Sequence, residues 1–420
     1  MKERLVRDTV IVGGGIAGVM CAYFLHQRGY KVTVIEADKL LCGVTKDTTA
    51  HINALQAKYS DIPTKKKRRI YFQSQIEAVD GLEQIIKDNK IDCDFMRVQS
   101  YVFGQGHAVT DLRKEYELLK QINADVIYKR SVDLPFGNYN TISLENQARF
   151  DAVKFLHGLH KGFEIIENTR IKKVCCITKK LKSENRIIKA KRIIIATNFP
   201  IINIRGLYAF KMYKSTSYAI AIETDKRVDG IYNAITGDGL TYRDTRDGII
   251  IGGLDHRTGR HKCKNVYKQL SEQASTEPLR AWCANDCMTF DGIAYSGRLK
   301  RFFSRDIFVI TGFGKWGMTN SFVCGQIIAD LIDGKKNKYT RLFKPTRILN
   351  VLVWHKFILN AILNVMNILA GLLLGKRCPH MACRMKFNHN TKTWDCPCHG
   401  SRLTKGGDII TAPTVDAKKF

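Results

Sequence analysis

Proline is scarce in this chain, with 8 among 420 residues against 32 glycines. Internal repeats, low-complexity tracts and a collagen-like period are all missing, which excludes fibrous and disordered classes. The first residues, Met1-Lys2-Glu3-Arg4-Leu5-Val6-Arg7-Asp8, lack the long apolar core of a secretory signal, so a cytoplasmic location is expected. Acid is the scarcer charge: 39 Asp and Glu face 68 Lys and Arg, leaving a net charge of +29. That excess would suit nucleic acid, an anionic membrane surface or acidic partner proteins. It is spread along the chain with no nucleic-acid-binding motif, so no nucleic-acid partner is expected. Its one dense run, Lys65-Lys66-Lys67-Arg68-Arg69, reads as a solvated loop and helix start. It leads into Ile70, Phe72, Ile76, Val79, Leu82, Ile85 and Ile86, which recur at helical spacing.

What is present is globular. Apolar residues make up 45%, and the length allows two or three domains. Residues 9–12 read as a short apolar strand, followed by Gly13-Gly14-Gly15-Ile16-Ala17-Gly18, a helix through about Gly29, and a second strand, Lys31 to Ile35, ending at Glu36. A further strand of parallel type is expected at Arg192 to Thr197, since runs this continuous suit a sheet covered on both faces. Between about 216 and 255 the pattern alternates, and Asp247-Gly248 separates Leu240-Thr241-Tyr242-Arg243 from Ile249-Ile250-Ile251 as a hairpin turn. That region predicts an antiparallel sheet. A helix is expected over 320–333, and the basic stretch Gly334 to Lys338 reads as a boundary.

Gly13-x-Gly15-x-x-Gly18, set between a strand and a helix with an acid ending the next strand, reads as a dinucleotide site. Gly13 permits the tight turn, Gly15 lets backbone approach a pyrophosphate, and Gly18 lets helix and strand pack closely. Glu36 is placed for a ribose hydroxyl, and an acid there disfavours a 2′-phosphate. Spacing alone does not separate FAD from NAD. From about residue 8 to 347 the chain resembles the D-amino-acid-oxidase-like (DAO) FAD-dependent oxidoreductases. Gly43-Val44-Thr45 with Thr48-Thr49-Ala50 resembles the loop beside the flavin. Glu167-Asn168-Thr169, with Ile171 and Val174, resembles the strand passing the adenine end. Ala196-Thr197-Asn198-Phe199-Pro200 resembles the strand-end motif over the cofactor. Thr311-Gly312-Phe313-Gly314-Lys315-Trp316-Gly317-Met318-Thr319 resembles the C-terminal FAD motif, and Trp282, Asp286, Thr289 and Asp291 match a further stretch. The resemblance implies an α/β fold with an FAD-binding Rossmann-like domain and an antiparallel-sheet substrate domain. The FAD-binding parts are expected at about 1–80, 150–205 and 285–335, and the substrate-domain parts at about 81–149 and 206–284. It implies oxidation of C–N bonds in amines or amino acids, and substrate-facing residues on the antiparallel sheet. Tyr242, Arg243 and His256 are the candidates there.

Of 13 cysteines, four fall between residues 378 and 398. Cys378-x-His380, fifteen residues, then Cys396-x-x-His399 places two Cys and two His in two tight loops, each able to aim two ligands at one centre. Zinc at one tetrahedral centre and a Rieske cluster both suit such a set. The wider sequence resembles the Rieske [2Fe–2S] family. That resemblance implies Cys378 and Cys396 on one iron, His380 and His399 on the other, and a disulfide between Cys383 and Cys398. Ser401 matches a hydrogen-bond donor to the cluster, while Leu403 stands where high-potential members have a tyrosine donor. Rieske domains ordinarily place several strands before the first loop, whereas here an apolar stretch precedes it, so 377–420 reads as a truncated cluster-binding segment.

That stretch, within the linker 348–376, comprises Leu349 to Trp354 and Phe357 to Leu374, interrupted by Asn350, His355, Lys356, Asn360, Asn364 and Asn367. The Asn spacing draws one polar stripe, which predicts an amphipathic helix docked on the protein or on a membrane surface rather than a membrane span. The chain resembles, over nearly its whole length, a bacterial group joining a DAO-like domain to a Rieske segment. That combination implies electron flow from an amine or amino acid to FAD, to the cluster, and on to an external acceptor such as an acidic carrier. The alternative is an electron-transfer or redox-sensing protein without an amine substrate.

Overall fold

The computed structural model describes residues 2–134, 136–202, 206–237, 239–260, 264–274, 276–299, 306–347 and 351–417. Residues 348–350, at the expected linker boundary and the start of the apolar stretch, lie outside the described residues.

The continuous apolar runs form the spine of a first sheet. Its strands lie in the order Tyr295–Arg298, Ile307–Thr311, Arg186–Ile195, Glu3–Val12, Val32–Ile35 and Glu164–Ile166. Neighbours are parallel except for the first pair, and a hairpin of Lys173–Cys175 and Lys180–Lys182 adds antiparallel to Arg186–Ile195. Val10, Ile11 and Val12 stand opposite Ile193, Ile194 and Ile195, and all six are buried, so neither strand alternates. Helices Ile16–His26 and Gly317–Asp333 pack together over this sheet, and helix Lys65–Asp88 lies against the latter. The basic run 65–69 forms the first turns of that helix rather than a loop. Thr64 caps it, its hydroxyl accepting from the Lys67 amide at 3.3 Å.

The second sheet has nine strands and is antiparallel apart from one pair, Ile231–Ala234 with Met96–Gly104. Met212–Glu223 lies between Arg280–Thr289 and Gly248–Arg257, followed outward by Thr241–Asp244. The hairpin near Asp247-Gly248 forms, but Gly248 already belongs to the returning strand and the turn is Thr245–Asp247. A Cβ on Gly248 would stand 1.9 Å from the Ile222 carbonyl oxygen, which explains glycine there. His51–Ile52 and the end of Arg280–Thr289 also belong to this sheet, so it reaches beyond 81–149 and 206–284.

Gly334 to Lys338 does not separate two bodies. Gly334 ends its helix in the left-handed conformation, after which Leu342 and Phe343 are buried and Arg347 pairs with buried Asp291 at 2.7 Å. A helix, Val351–Leu373, then leads to a small antiparallel sheet of four three-residue strands, Lys386–Asn388, Thr393–Asp395, Arg402–Thr404 and Ile409–Thr411. The helix turns its Asn stripe toward the body. Asn360 donates to the carbonyls of Ala209 and Phe210 at 3.2 and 3.1 Å, and Asn364 to Ala209 at 2.9 Å.

Candidate functional site

The strand Glu3–Val12 delivers the chain to Gly13, whose φ of +113° only glycine adopts readily. Added Cβ atoms would stand 2.4 Å from the Ala196 oxygen at Gly13 and 1.9 Å from the Gly13 oxygen at Gly18. At Gly15 the nearest atom is the Thr45 hydroxyl at 3.1 Å, so its open side faces a groove. Glu36 receives the amides of Gly14 at 2.6 Å and Ala37 at 2.7 Å, and Thr45 receives the Ile16 amide at 3.0 Å. The groove at the start of helix Ile16–His26 is therefore backbone-lined and held by fixed side chains, which fits a pyrophosphate. Of the expected cofactor residues, Gly13, Gly15, Glu36, Thr45, Thr48, Thr169, Ala196, Thr197, Gly312, Gly317 and Met318 line it. Thr49, Gly314 and Trp316 line the neighbouring cavity instead. Gly18, Ala50 and Thr319 face neither. Gly18 brings helix and strand together, and Thr319 is buried beneath, accepting from Gln56 at 3.1 Å.

That neighbouring cavity, of about 770 Å³, lies against the second sheet and shares Thr48, Asp286, Lys315 and Met318 with the groove. Among the catalytic candidates only His256 lines it, its ring stacked on Tyr218 at 5.6 Å and burial lowering its pKa. Tyr242 points to the sheet's other face, stacked on Phe136 at 3.9 Å and donating to Gln273 at 3.0 Å. Arg243 is buried away from the cavity, where burial lowers its pKa to about 10. The cavity holds a cluster the sequence reading passed over. Lys315 pairs with Asp255, and Asp286 lies beside them with its carboxyl pushed up to about 6 by burial. Lys58, donating to the Gly292 carbonyl at 2.8 Å, is drawn down to about 7 by burial. Lys315 and Asp286 stood inside motifs already singled out, whereas no local signal marked Asp255 or Lys58.

The two cysteine–histidine loops are tight turns. The Ala382 amide returns to the Cys378 carbonyl at 2.8 Å, and the Gly400 amide to the Cys396 carbonyl at 2.9 Å. A disulfide, Cys383–Cys398, joins them. The sulfurs of Cys383, Cys396 and Cys398 lie within 4.8 Å of one another, but the disulfide removes two of these as thiolate donors. Cys378 and Cys396 are buried together, and the hydrogen bond from Cys396 draws the Cys378 thiol down to about 6 while the Cys396 thiol rises. The His380 and His399 rings stand 5.2 Å apart, lowered by burial to about 4 and about 3. Both imidazoles are thus neutral, as metal ligation requires. Neither ring nitrogen of buried His399 is held in a well-formed hydrogen bond, the Ala209 backbone being its polar neighbour. Two thiols on one side and two neutral imidazoles on the other fit a mixed Cys/His cluster. Ser401 accepts from the Thr414 amide at 3.2 Å, and Thr414 approaches Cys378 Sγ at 3.5 Å.

These loops are seated on the rest of the protein. The His399 ring packs against Phe199 with centroids 5.5 Å apart. Buried Lys214 donates to the Ala412 carbonyl at 3.0 Å, and Ile410, Thr411, Ala412 and Val415 form part of the dinucleotide groove's wall. Gly400, with φ +68°, leaves only 2.5 Å between an added Cβ and the Lys214 side chain. The FAD dependent oxidoreductase (DAO) family model matches residues 8–331, and the Rieske [2Fe-2S] domain model residues 370–420.

The chain belongs to the DAO family of FAD-dependent oxidoreductases. It is an oxidoreductase whose cofactors are FAD and a C-terminal [2Fe–2S] cluster, which decides against the zinc reading. YhfW of Bacillus subtilis (strain 168), whose name describes a Rieske 2Fe-2S iron-sulfur protein, is 28% identical over 483 aligned positions, spanning 100% of this chain and 94% of that protein. Glycine oxidase from Geobacillus kaustophilus superposes with a TM-score of 0.70 at 16% identity, covering 82% of this chain and 100% of its own. L-proline dehydrogenase from P. horikoshii gives 0.68 at 18% identity, covering 83% and 98%. L-amino acid deaminase from Proteus vulgaris gives 0.64 at 14%, covering 83% and 98%. At these identities the likeness is one of fold.

Proposed function

We propose that this DAO-family chain oxidises the C–N bond of a small amine or amino acid and sends the electrons through its cluster to an external acceptor. The observation that carries the reading is the seating of the cluster segment against the dinucleotide groove. His399 packs on Phe199, and Thr411 and Ala412 wall the groove itself. When bound, FAD supplies the two-electron acceptor and the [2Fe–2S] cluster a one-electron outlet. In the substrate a C–H and an N–H bond break and a C=N bond forms. Two electrons leave with the hydride, and the nitrogen's proton passes to a base. Asp286, raised toward neutrality where cavity and groove meet, is placed to take it. Lys315 and Lys58 supply positive charge for a substrate carboxylate, and Asp255 holds Lys315 in place. The external acceptor then takes the two electrons one at a time, and a net charge of +29 suits an acidic carrier protein.

In this reading Cys378 and Cys396 hold one iron and His380 and His399 the other, in a segment 377–420 joined by 348–376 to a catalytic body 1–347. A cytoplasmic location belongs to the same proposal. The test is anaerobic mixing of the holoprotein with a panel of amines and amino acids, followed by flavin absorbance. Bleaching by at least one of them supports the reading. Reduction by carrier proteins alone, with none of the panel active, would replace it with a relay that has no amine substrate.

A further inference from the structure

The helix Val351–Leu373 is amphipathic in the reverse sense to an ordinary surface helix. Its polar side is the buried one. Asn360 and Asn364 are 1% and 2% exposed and bond to the body's carbonyls, and Arg257 donates to Asn360 at 2.5 Å. Its outer face is apolar. Ile358, Leu359, Ile362, Met366, Leu369 and Leu373 are each at least half exposed, and ten of the seventeen large exposed apolar side chains among the described residues fall between 354 and 374. Exposed apolar side chains gathered on one face in this way mark an interaction surface.

We infer that this face seats the protein on an anionic membrane surface, with the helix lying in the plane of the lipid. Charge selects the occupant. Between Asp333 and Asp395 the sequence has no Asp or Glu but twelve Lys and Arg. Lys376, Arg377, Arg384 and Lys386 are exposed at the helix's C-terminal end. A second copy docked on the same face would bring two such basic rims together, whereas acidic headgroups are drawn to them. The helix cannot turn to span a bilayer while docked. Besides the Asn contacts, its Asn367 carbonyl accepts from the Arg384 amide at 2.9 Å, and Gly371 is so close to Ala382 that an added Cβ would stand 1.9 Å from that carbonyl. The helix also backs the cluster loops directly, with Cys398 Sγ 3.9 Å from the Asn364 carbonyl. The lipid surface therefore comes within about one helix diameter, roughly 10 Å, of those loops. Given the electron-relay reading, on which this consequence alone rests, the acceptor is delivered at the membrane.

The experiment is flotation of the full-length holoprotein with vesicles of phosphatidylcholine alone and of phosphatidylcholine mixed with phosphatidylglycerol. The expected result is co-flotation with the anionic vesicles, weakened by salt and by omitting phosphatidylglycerol. Ile362→Asp with Met366→Asp should lower the bound fraction about tenfold while flavin absorbance and iron content stay unchanged. Lys376→Glu with Arg377→Glu should remove the preference for anionic lipid and leave the fold intact. Failure to float with anionic vesicles overturns the proposal. So does sedimentation as a dimer that Ile362→Asp dissociates, which would make a second copy the occupant. Turnover plays no part in either outcome, so the docking fails or stands apart from the catalytic reading.

Discussion

Arg402 ties the cluster segment to the second sheet, and its removal has a calculable effect. Its guanidinium pairs with Asp395 at 3.1 Å and donates to Asn285 at 2.7 Å and Thr393 at 3.1 Å, with the two charged side chains 6% and 0% exposed. Arg402→Met removes the cation and leaves the Asp395 carboxylate buried, with Thr393 at 2.8 Å and Asn388 at 3.2 Å still donating to it. Breaking a buried pair from one side costs about 3–5 kcal/mol. Replacing both partners costs far less, so Arg402→Met with Asp395→Asn should recover most of the loss. The assay is urea unfolding followed by the visible circular dichroism of the cluster, which reports this segment rather than the whole chain. With a slope of about 1–3 kcal/mol per molar for a small unit, the single variant should lose its signal at least about 1 M earlier. A shift below about 0.3 M, or a double variant no better than the single, would refute the reasoning, because the pair would then not be sealed from water.

Other consequences are equally direct. Gly18→Val should abolish FAD retention, since even a Cβ there stands 1.9 Å from the Gly13 oxygen; the ratio of flavin to protein absorbance reads it. His399→Ala should lose the cluster and keep FAD, seen as iron content falling to near zero with the flavin spectrum unchanged. Asp286 is raised to about 6 in the folded state by burial, so its cost to stability builds up as pH rises from the unfolded value near 3.8 to about 6, is present in full above that, and vanishes below 3.8. Asp286→Asn should therefore raise Tm at pH 8 and leave it nearly unchanged at pH 4; an equal gain at both would show that the carboxyl is not perturbed.

The parts of the fold legible in the sequence are those set by local geometry. The glycines at 13, 15 and 18 act within a few residues of one another, and Glu36 follows the next strand of the same βαβ unit, so their spacing carries the site. The paired Cys–His loops are local in the same way. The cavity is different. Asp255, Asp286 and Lys315 come from three separate segments, and only the tertiary fold brings them together. The choice among Tyr242, Arg243 and His256 depended on strand phase. Tyr242 and Arg243 are neighbours on one strand and point to opposite faces, yet neither lines the cavity, and nothing local in the sequence says so. The Asn stripe of the last helix was visible as a period, but its direction was not. It turns inward because the short helix Tyr208–Lys211 leaves carbonyls that need donors, and that need is written in another part of the chain.

The most direct test of the account is rapid-freeze electron paramagnetic resonance during a single anaerobic turnover with an amine that reduces the flavin, alongside iron and zinc analysis. The account predicts two irons per chain and a Rieske-type signal that grows as flavin reduction proceeds. A cluster that stays oxidised while the flavin is fully reduced, or zinc in place of iron, would contradict it.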